Sequence, residues 1–322
     1  MLKAKLIAVL LAGLLLLTAA GCKSDDAKEV FGEDGKISVI STIFAPFDFA
    51  REIAGDMADI RMLLPLASEI HSFEPSPQDI IDITNCDVFI YVGGESETWV
   101  EEQILASIDL EGKQVISLMD CVETVDEEIV EGMEEEEEEE EEGEGAPQDE
   151  HVWTAPKNAK LIVQKITDAL CAQDSANADA FRQNSDSYQT RLDALDAELK
   201  DVTDGAARKT VVFGDRFPFR YLADAYGLKY FAAFPGCSEV TEPKSPATVA
   251  FLINKVKEEQ LPAVFYIELS NQRIADTIVE DTGAKKLLLH SCHNLTKADF
   301  DGGATYISLM QANVQALKEA LW

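Results

Sequence analysis

Hydrophobic positions along this chain follow two patterns that take turns. Short β-branched runs, KISVIST (36–42), DIRMLLP (59–65), DVFIYVGG (87–94) and KQVISLM (113–119), predict strands. Between them lie FAPFDFAREIAGDM (44–57), SPQDIIDITNC (76–86) and ETWVEEQILASI (97–108), where apolar residues recur every three or four positions and predict helices. Ser76 is the expected N-cap of the second of these. Strand and helix in regular alternation predict a mostly parallel sheet covered by helices.

The alternation breaks once and then resumes. From residue 175 to about residue 202, Ala178, Phe181, Tyr188, Leu192, Leu195 and Leu199 fall near helical spacing and charged residues fill the other face. A helix of that length spans about 40 Å. Beyond Gly205 come KTVVFGD, FRYLADAYGL, KYFAAF, PATVAFLINKVKEEQ, AVFYIEL, NQRIADTIVEDTG, AKKLLLH and a last helix from Tyr306 to Leu321. The reading is α/β: two α/β lobes with mostly parallel sheets, at 37–174 and 206–322, joined by one long helix at 175–205. Ligands of such folds sit at strand ends, here in the cleft between the lobes.

The N-terminus has a different logic. An apolar run from Leu6 to Ala20 follows Lys3 and Lys5, is short for a membrane span, and ends in Ala-Ala-Gly-Cys. This pattern is that of a lipoprotein signal over 1–21, with Cys22 lipidated and 22–36 as a tether. Lipid chains add about 0.8 kcal/mol of membrane affinity per buried methylene. The body is therefore expected outside the cytoplasmic membrane, anchored through Cys22.

Charge narrows the partners. The net charge is −33, which repels phosphate and excludes nucleic acid as a partner. Sixteen acidic and no basic residues fall between Asp126 and Glu150, including the unbroken run Glu134–Glu142. Such a block self-repels and buries nothing, so 126–150 is expected to be a disordered, solvent-exposed loop that collects cations weakly. Cys22 leaves five further cysteines, an odd number with no CxxC, so a cysteine zinc knuckle has no support.

Four histidines occur in the whole chain, and three stand on loops at the ends of regular elements: His71, His151 and His290. HSFEPSPQD around His71 and DEHVWTAP around His151 resemble the two histidine motifs of the zinc- and manganese-binding solute-binding lipoproteins of bacterial ABC importers. The resemblance extends from KISVIST to the last helix. It implies a metal ligand at each of these histidines and a third in the loop that opens the second lobe. There the segment reads FGDRFPFRYLADAYGL, without a histidine. With one residue inserted Asp215 takes the position; without it the position is Arg216, a permanent cation that cannot bind metal. Asp215 is therefore the expected third ligand, and the fourth family position matches His290 in LLLHSCHN. His293, three residues on, is expected to make a structural hydrogen bond.

Three imidazoles and a carboxylate suit tetrahedral Zn2+ better than Mn2+. Cys237 and Cys292 both follow strands of the second lobe, and a disulfide between them would stiffen the loop that carries His290. The resemblance implies a monomeric binding component that hands zinc to an ABC permease. A manganese-type protein or a surface adhesin of the same fold remains an alternative. The chain has no GxxxxGK[ST], HExxH or GxSxG, so neither ATP-driven transport nor hydrolysis is expected of it.

Overall fold

The structure, a computed structural model, describes residues 31, 35–69, 73–133, 147–238 and 245–322. Cys22 and its signal, His71, and the Glu134–Glu142 run lie outside the described residues. No helix among the described residues is long and apolar enough to cross a membrane.

Two four-stranded sheets share one topology. Strands β1 (Ile37–Ser41), β2 (Ala58–Met62), β3 (Val88–Tyr91) and β4 (Gln114–Ser117) lie in the order β2-β1-β3-β4, all parallel. Strands β5 (Thr210–Arg216), β6 (Lys229–Phe234), β7 (Ala263–Tyr266) and β8 (Lys285–Leu288) repeat it as β6-β5-β7-β8. Every residue of β1 is buried, as a central parallel strand covered on both faces requires. Chain order reverses beside β1 in one sheet and beside β5 in the other, which opens a crevice at the carboxyl ends of those strands.

The helices are α1 (Phe44–Ala54), α2 (Pro77–Asn85), α3 (Pro156–Gln173), α4 (Ala178–Asp204), α5 (Arg220–Tyr226), α6 (Pro246–Glu258), α7 (Arg273–Thr282), α8 (Lys297–Asp301) and α9 (Tyr306–Leu321). Ser76 caps α2 through a reciprocal box in which its hydroxyl accepts from Asp79 N and the Asp79 carboxylate accepts from Ser76 N. The segment 97–108, predicted as a helix, instead contributes to a 3₁₀ turn at Glu95–Glu97 and forms a π-helical turn at Val100–Leu105. At its start Glu97 turns inward, and its Oε2 accepts from the N–H groups of Val92 and Gly93.

Helix α4 buries Phe181, Tyr188, Leu192, Leu195 and Leu199 along one stripe. That stripe belongs to a single apolar cluster running from β1 through α1, α3 and α9 to β5, so the two sheets share one core. Phe49 of α1 sits edge-on to Tyr306 of α9 at 4.8 Å, and the Asp48 carboxylate accepts from Tyr306 N at 2.7 Å. Helix α9 thereby starts on a first-lobe side chain.

Strand β5 contains an irregularity that matters for the site. Phe213 pairs with Ala232, but pairing resumes at Arg216 with Phe234, so β5 carries one extra residue. Such a bulge bends a strand and re-aims the side chain that follows it. Gly214, inside the bulge, lets α7 approach the strand closely: a Cβ there would stand 2.5 Å from the backbone of Ala275.

Candidate functional site

His151 is the most completely built of the sequence-predicted ligands. It stands between the end of the acidic segment and the 3₁₀ turn Val152–Thr154, and is 3% exposed. Asp149 Oδ1 accepts from His151 N at 2.9 Å and lies 3.2 Å from His151 Nδ1. With Nδ1–H donated to that carboxylate, the lone pair of Nε2 is left as the metal-binding atom, the usual arrangement behind a zinc-bound imidazole. Burial opposes a charge on this ring. The Asp149, Glu150 and Glu127 carboxylates outweigh it, and the net direction is a raised pKa.

The arms of the acidic segment are not the solvated loop expected for 126–150. Asp126 bridges to Gln148, and Asp149 N donates to Val125 O. Second-lobe side chains then hold both arms: Tyr221 OH donates to Asp149 O, Cys237 N donates to Glu127 Oε1, and Arg220 pairs with Glu128. Asp149 is 1% exposed, and burial raises the pKa of both Glu127 and Glu150. Acidic side chains can be buried when backbone N–H groups and arginines meet them, as they do here.

Opposite His151 stands the turn His290–Leu295. Phe44 N donates to His293 O, Ala67 N to Leu295 O, and Asn294 Nδ2 to both Pro65 O and Ser68 O. Trp153 Nε1 donates to Ser291 O at 2.7 Å. The second-lobe turn is thus fastened to the first-lobe loop that leads into His71. Within it the half-buried ring of His293 lies 6.0 Å from that of His151 and 5.3 Å from Trp153. A cavity of about 20 Å³, room for one water-sized particle, opens beside it, lined among others by Glu69, Arg216, Glu268 and His293.

Of the other two predicted ligands, Asp215 is engaged elsewhere, whereas His290 keeps a buried Nε2 with no hydrogen-bond partner among the described residues. Asp215 lies in the bulge of β5, its Oδ1 accepting from Arg216 N and its Oδ2 from Ile267 N, with a further hydrogen bond from Ser270. Burial raises its pKa. Arg216, the next residue, is the one that reaches the cavity, where it pairs with Glu69 at 2.9 Å and donates to Ser238 O. His290 is buried, with its backbone N and O both bonded to the Asn313 amide, and its Nδ1 accepts from Cys292 N at 3.0 Å. Among the described residues no three His, Cys, Asp or Glu side chains stand close enough to hold a metal ion.

The expected Cys237–Cys292 disulfide is not formed, and both are free thiols. Cys292 is wholly buried at a left-handed corner (φ 61°) near Glu268 and Asp48, whereas Cys237 lies against Glu127, Asp149 and Glu150. Burial and those carboxylates push both thiols well above their ordinary range.

Asp149 and Glu268 were missed by reading histidines alone. Both were visible: Asp149 stands two residues before His151, and Glu268 ends the apolar run AVFYIEL. Glu268 binds the turn, with Ser291 N at 2.8 Å, Ser291 Oγ, and His293 N at 3.3 Å all donating to it.

Comparison with known proteins fits this arrangement. The family described as ZnuA, zinc-uptake complex component A, periplasmic, matches residues 39–320. The zinc-binding lipoprotein AdcA of Streptococcus pneumoniae serotype 4 is 32% identical over 318 residues, covering 98% of this chain and 61% of AdcA, so this chain spans about three-fifths of that relative. The high-affinity zinc uptake system protein ZnuA of Bacillus subtilis strain 168 is 32% identical, covering 97% of this chain and 96% of its own length. Two solved structures share the fold. The metal-dependent lipoprotein YcdH from Bacillus subtilis has a TM-score of 0.74 at 29% identity, over 89% of this chain and all of its own. The Zn(II)-bound ZnuA-like domain of pneumococcal AdcA has 0.72 at 30%, over 89% of this chain and 99% of that one. A match that runs from the first strand nearly to the last residue, through both histidine motifs, assigns the chain: it belongs to the ZnuA family, component A of the zinc-uptake complex.

Proposed function

We propose that this protein captures zinc outside the cytoplasmic membrane, in the cleft between its lobes, and delivers it to the permease of an ABC importer. The observation that carries the reading is the Asp149–His151 pair: a buried imidazole whose Nδ1 is held by a carboxylate, leaving Nε2 aimed for metal at the meeting of two sheets. Zinc is the cargo, and its family name and zinc-binding relatives support that choice over manganese.

In this reading His71 and His151 are the first-lobe ligands. Of the other two expected from the sequence, Asp215 is held by backbone N–H groups in the bulge beside Arg216, and His290, whose buried Nε2 has no hydrogen-bond partner among the described residues, is the second-lobe imidazole. Glu268 lines the cavity but is held as the acceptor for Ser291 and for His293 N. Lipidation at Cys22 keeps the body at the membrane and is part of the same proposal. Metal analysis of protein purified without chelator, followed by a competition titration, tests it. One zinc per chain, lost in His151→Ala, is expected; retention of tight zinc in both His71→Ala and His151→Ala would overturn the site.

A further inference from the structure

Resting on the zinc reading above, we infer that α9 acts as a ruler between the lobes: Tyr306 and Asn313 hold the backbones that carry His151 and His290 at a fixed separation, one that favours zinc over manganese. Tyr306 OH donates to Trp153 O at 2.7 Å, two residues past His151. Asn313 Oδ1 accepts from His290 N at 2.7 Å, and its Nδ2 donates to His290 O at 2.8 Å. Positions 306 and 313 are two helical turns apart, so both side chains leave one face of α9, about 10 Å apart along its axis. Trp153 Nε1 closes the figure by donating to Ser291 O, next to His290. The His151 turn, the helix and the His290 turn thus form one closed ring of hydrogen bonds.

The ring is built from buried groups. Tyr306 is fully buried, and its N–H is held by the Asp48 carboxylate of α1. A reciprocal box between Thr305 and Ser308 fixes the first turn of α9. Asn313 is 1% exposed in the middle of that helix, where asparagine is a poor helix former and a buried amide is costly unless bonded. Its two bonds to the His290 backbone supply the compensation. Coordination chemistry gives the spacing a consequence. Zinc accepts four ligands with Zn–N at about 2.0–2.1 Å, whereas manganese prefers an oxygen-rich shell of more ligands. Two imidazoles whose backbones cannot spread suit the first ion and penalise the second. Neither Tyr306 nor Asn313 is a ligand; both are positioning residues.

The test measures Zn2+ and Mn2+ affinities by competition titration for Tyr306→Phe, Asn313→Leu and His151→Ala as full-length mature proteins, with thermal unfolding of the metal-free proteins alongside. Tyr306→Phe removes one O–H, and Asn313→Leu removes both amide groups at nearly unchanged volume. Each is expected to bind zinc about tenfold more weakly, as losses behind a metal ligand typically do. Manganese affinity should change by less, so the ratio of zinc to manganese affinity falls. A role confined to stability would lower the melting temperature and leave that ratio at its wild-type value. That outcome in either variant, with zinc lost in His151→Ala, would overturn the ruler and leave the zinc site standing. A ratio that rose would overturn it as well. Should Asn313→Leu fail to fold, the milder Tyr306→Phe decides alone. Tight zinc retained in His151→Ala would instead remove the zinc reading itself.

Discussion

Arg216 Nη2 lies 2.9 Å from Glu69 Oε2, so a second-lobe cation is paired across the cleft with an anion two residues before His71. A buried guanidinium beside a metal-binding cavity repels the incoming ion, and Glu69 offsets that charge. The two charges should therefore move zinc affinity in opposite directions. Arg216→Gln is expected to tighten zinc binding and Glu69→Gln to weaken it, each by roughly threefold to tenfold because Glu69 is partly exposed and screened. Competition titration at low salt measures both. A shift in the same direction for the two variants would mean that the pair acts as a mechanical tie between lobes.

Asp149 positions His151 and need not touch the ion. Carboxylates behind a metal-bound imidazole typically contribute 10–100-fold to affinity. Asp149→Asn is expected to weaken zinc binding by about that factor while leaving one zinc per chain, whereas His151→Ala removes tight binding. Isothermal titration separates the two outcomes, and an unchanged affinity in Asp149→Asn would exclude Asp149 from that role.

Much of this arrangement is legible in the sequence, and what is not has a common cause. Regular elements declared themselves: the Ser76 box opens α2, and the stripe Phe181, Tyr188, Leu192, Leu195 and Leu199 is the buried face of α4. The zinc family was legible in HSFEPSPQD and DEHVWTAP. The sequence leaves a choice open where one residue of register decides which side chain faces the cleft. An extra residue in β5 separates Asp215, turned to Ile267 N, from Arg216, turned to Glu69. A positive φ at Cys292 likewise separates His290 from His293. Periodicity carries no information about a bulge or a left-handed corner, so choosing between neighbours required coordinates.

Glu97 makes stability depend on pH in an uncommon direction. Burial raises its carboxyl from 4.5 to about 7, although Val92 N and Gly93 N donate to Oε2. The folded state favours the neutral acid, so this group's stability is fully present below its ordinary range and is lost as pH rises through about 7. The rise corresponds to about 3 kcal/mol. Glu97→Gln keeps an acceptor for both N–H groups and removes the ionisation. Its melting temperature is expected to exceed that of the wild type at pH 8.5, with the gap shrinking toward pH 5. A gap that grew toward pH 5 would reverse the sign of this account.

The last prediction concerns the acidic segment, whose functional boundary differs from its compositional one. Met133 is buried, and the space beside Gly132 is filled by Phe251, so the first arm is packed through residue 133. The second arm is packed from Gln148, through its bridge to Asp126. Replacing 134–146 with a Gly/Ser linker of equal length removes ten carboxylates, Glu134–Glu142 and Glu144, and touches neither arm. One tight zinc event is expected to survive with its affinity unchanged, while shallow additional cation binding disappears. The capture rate should also fall, because clustered charge raises the local cation concentration over a screening length of about 10 Å at 0.1 M salt. Breaking an arm is a different experiment. Glu127→Gln weakens the acceptor for Cys237 N and removes a charge near His151, so it should lower the tight affinity itself. Calorimetry and stopped-flow zinc capture on the two variants decide the matter. A linker variant that lost the tight event would show that 134–146 supplies a ligand, and the donor set would have to include it.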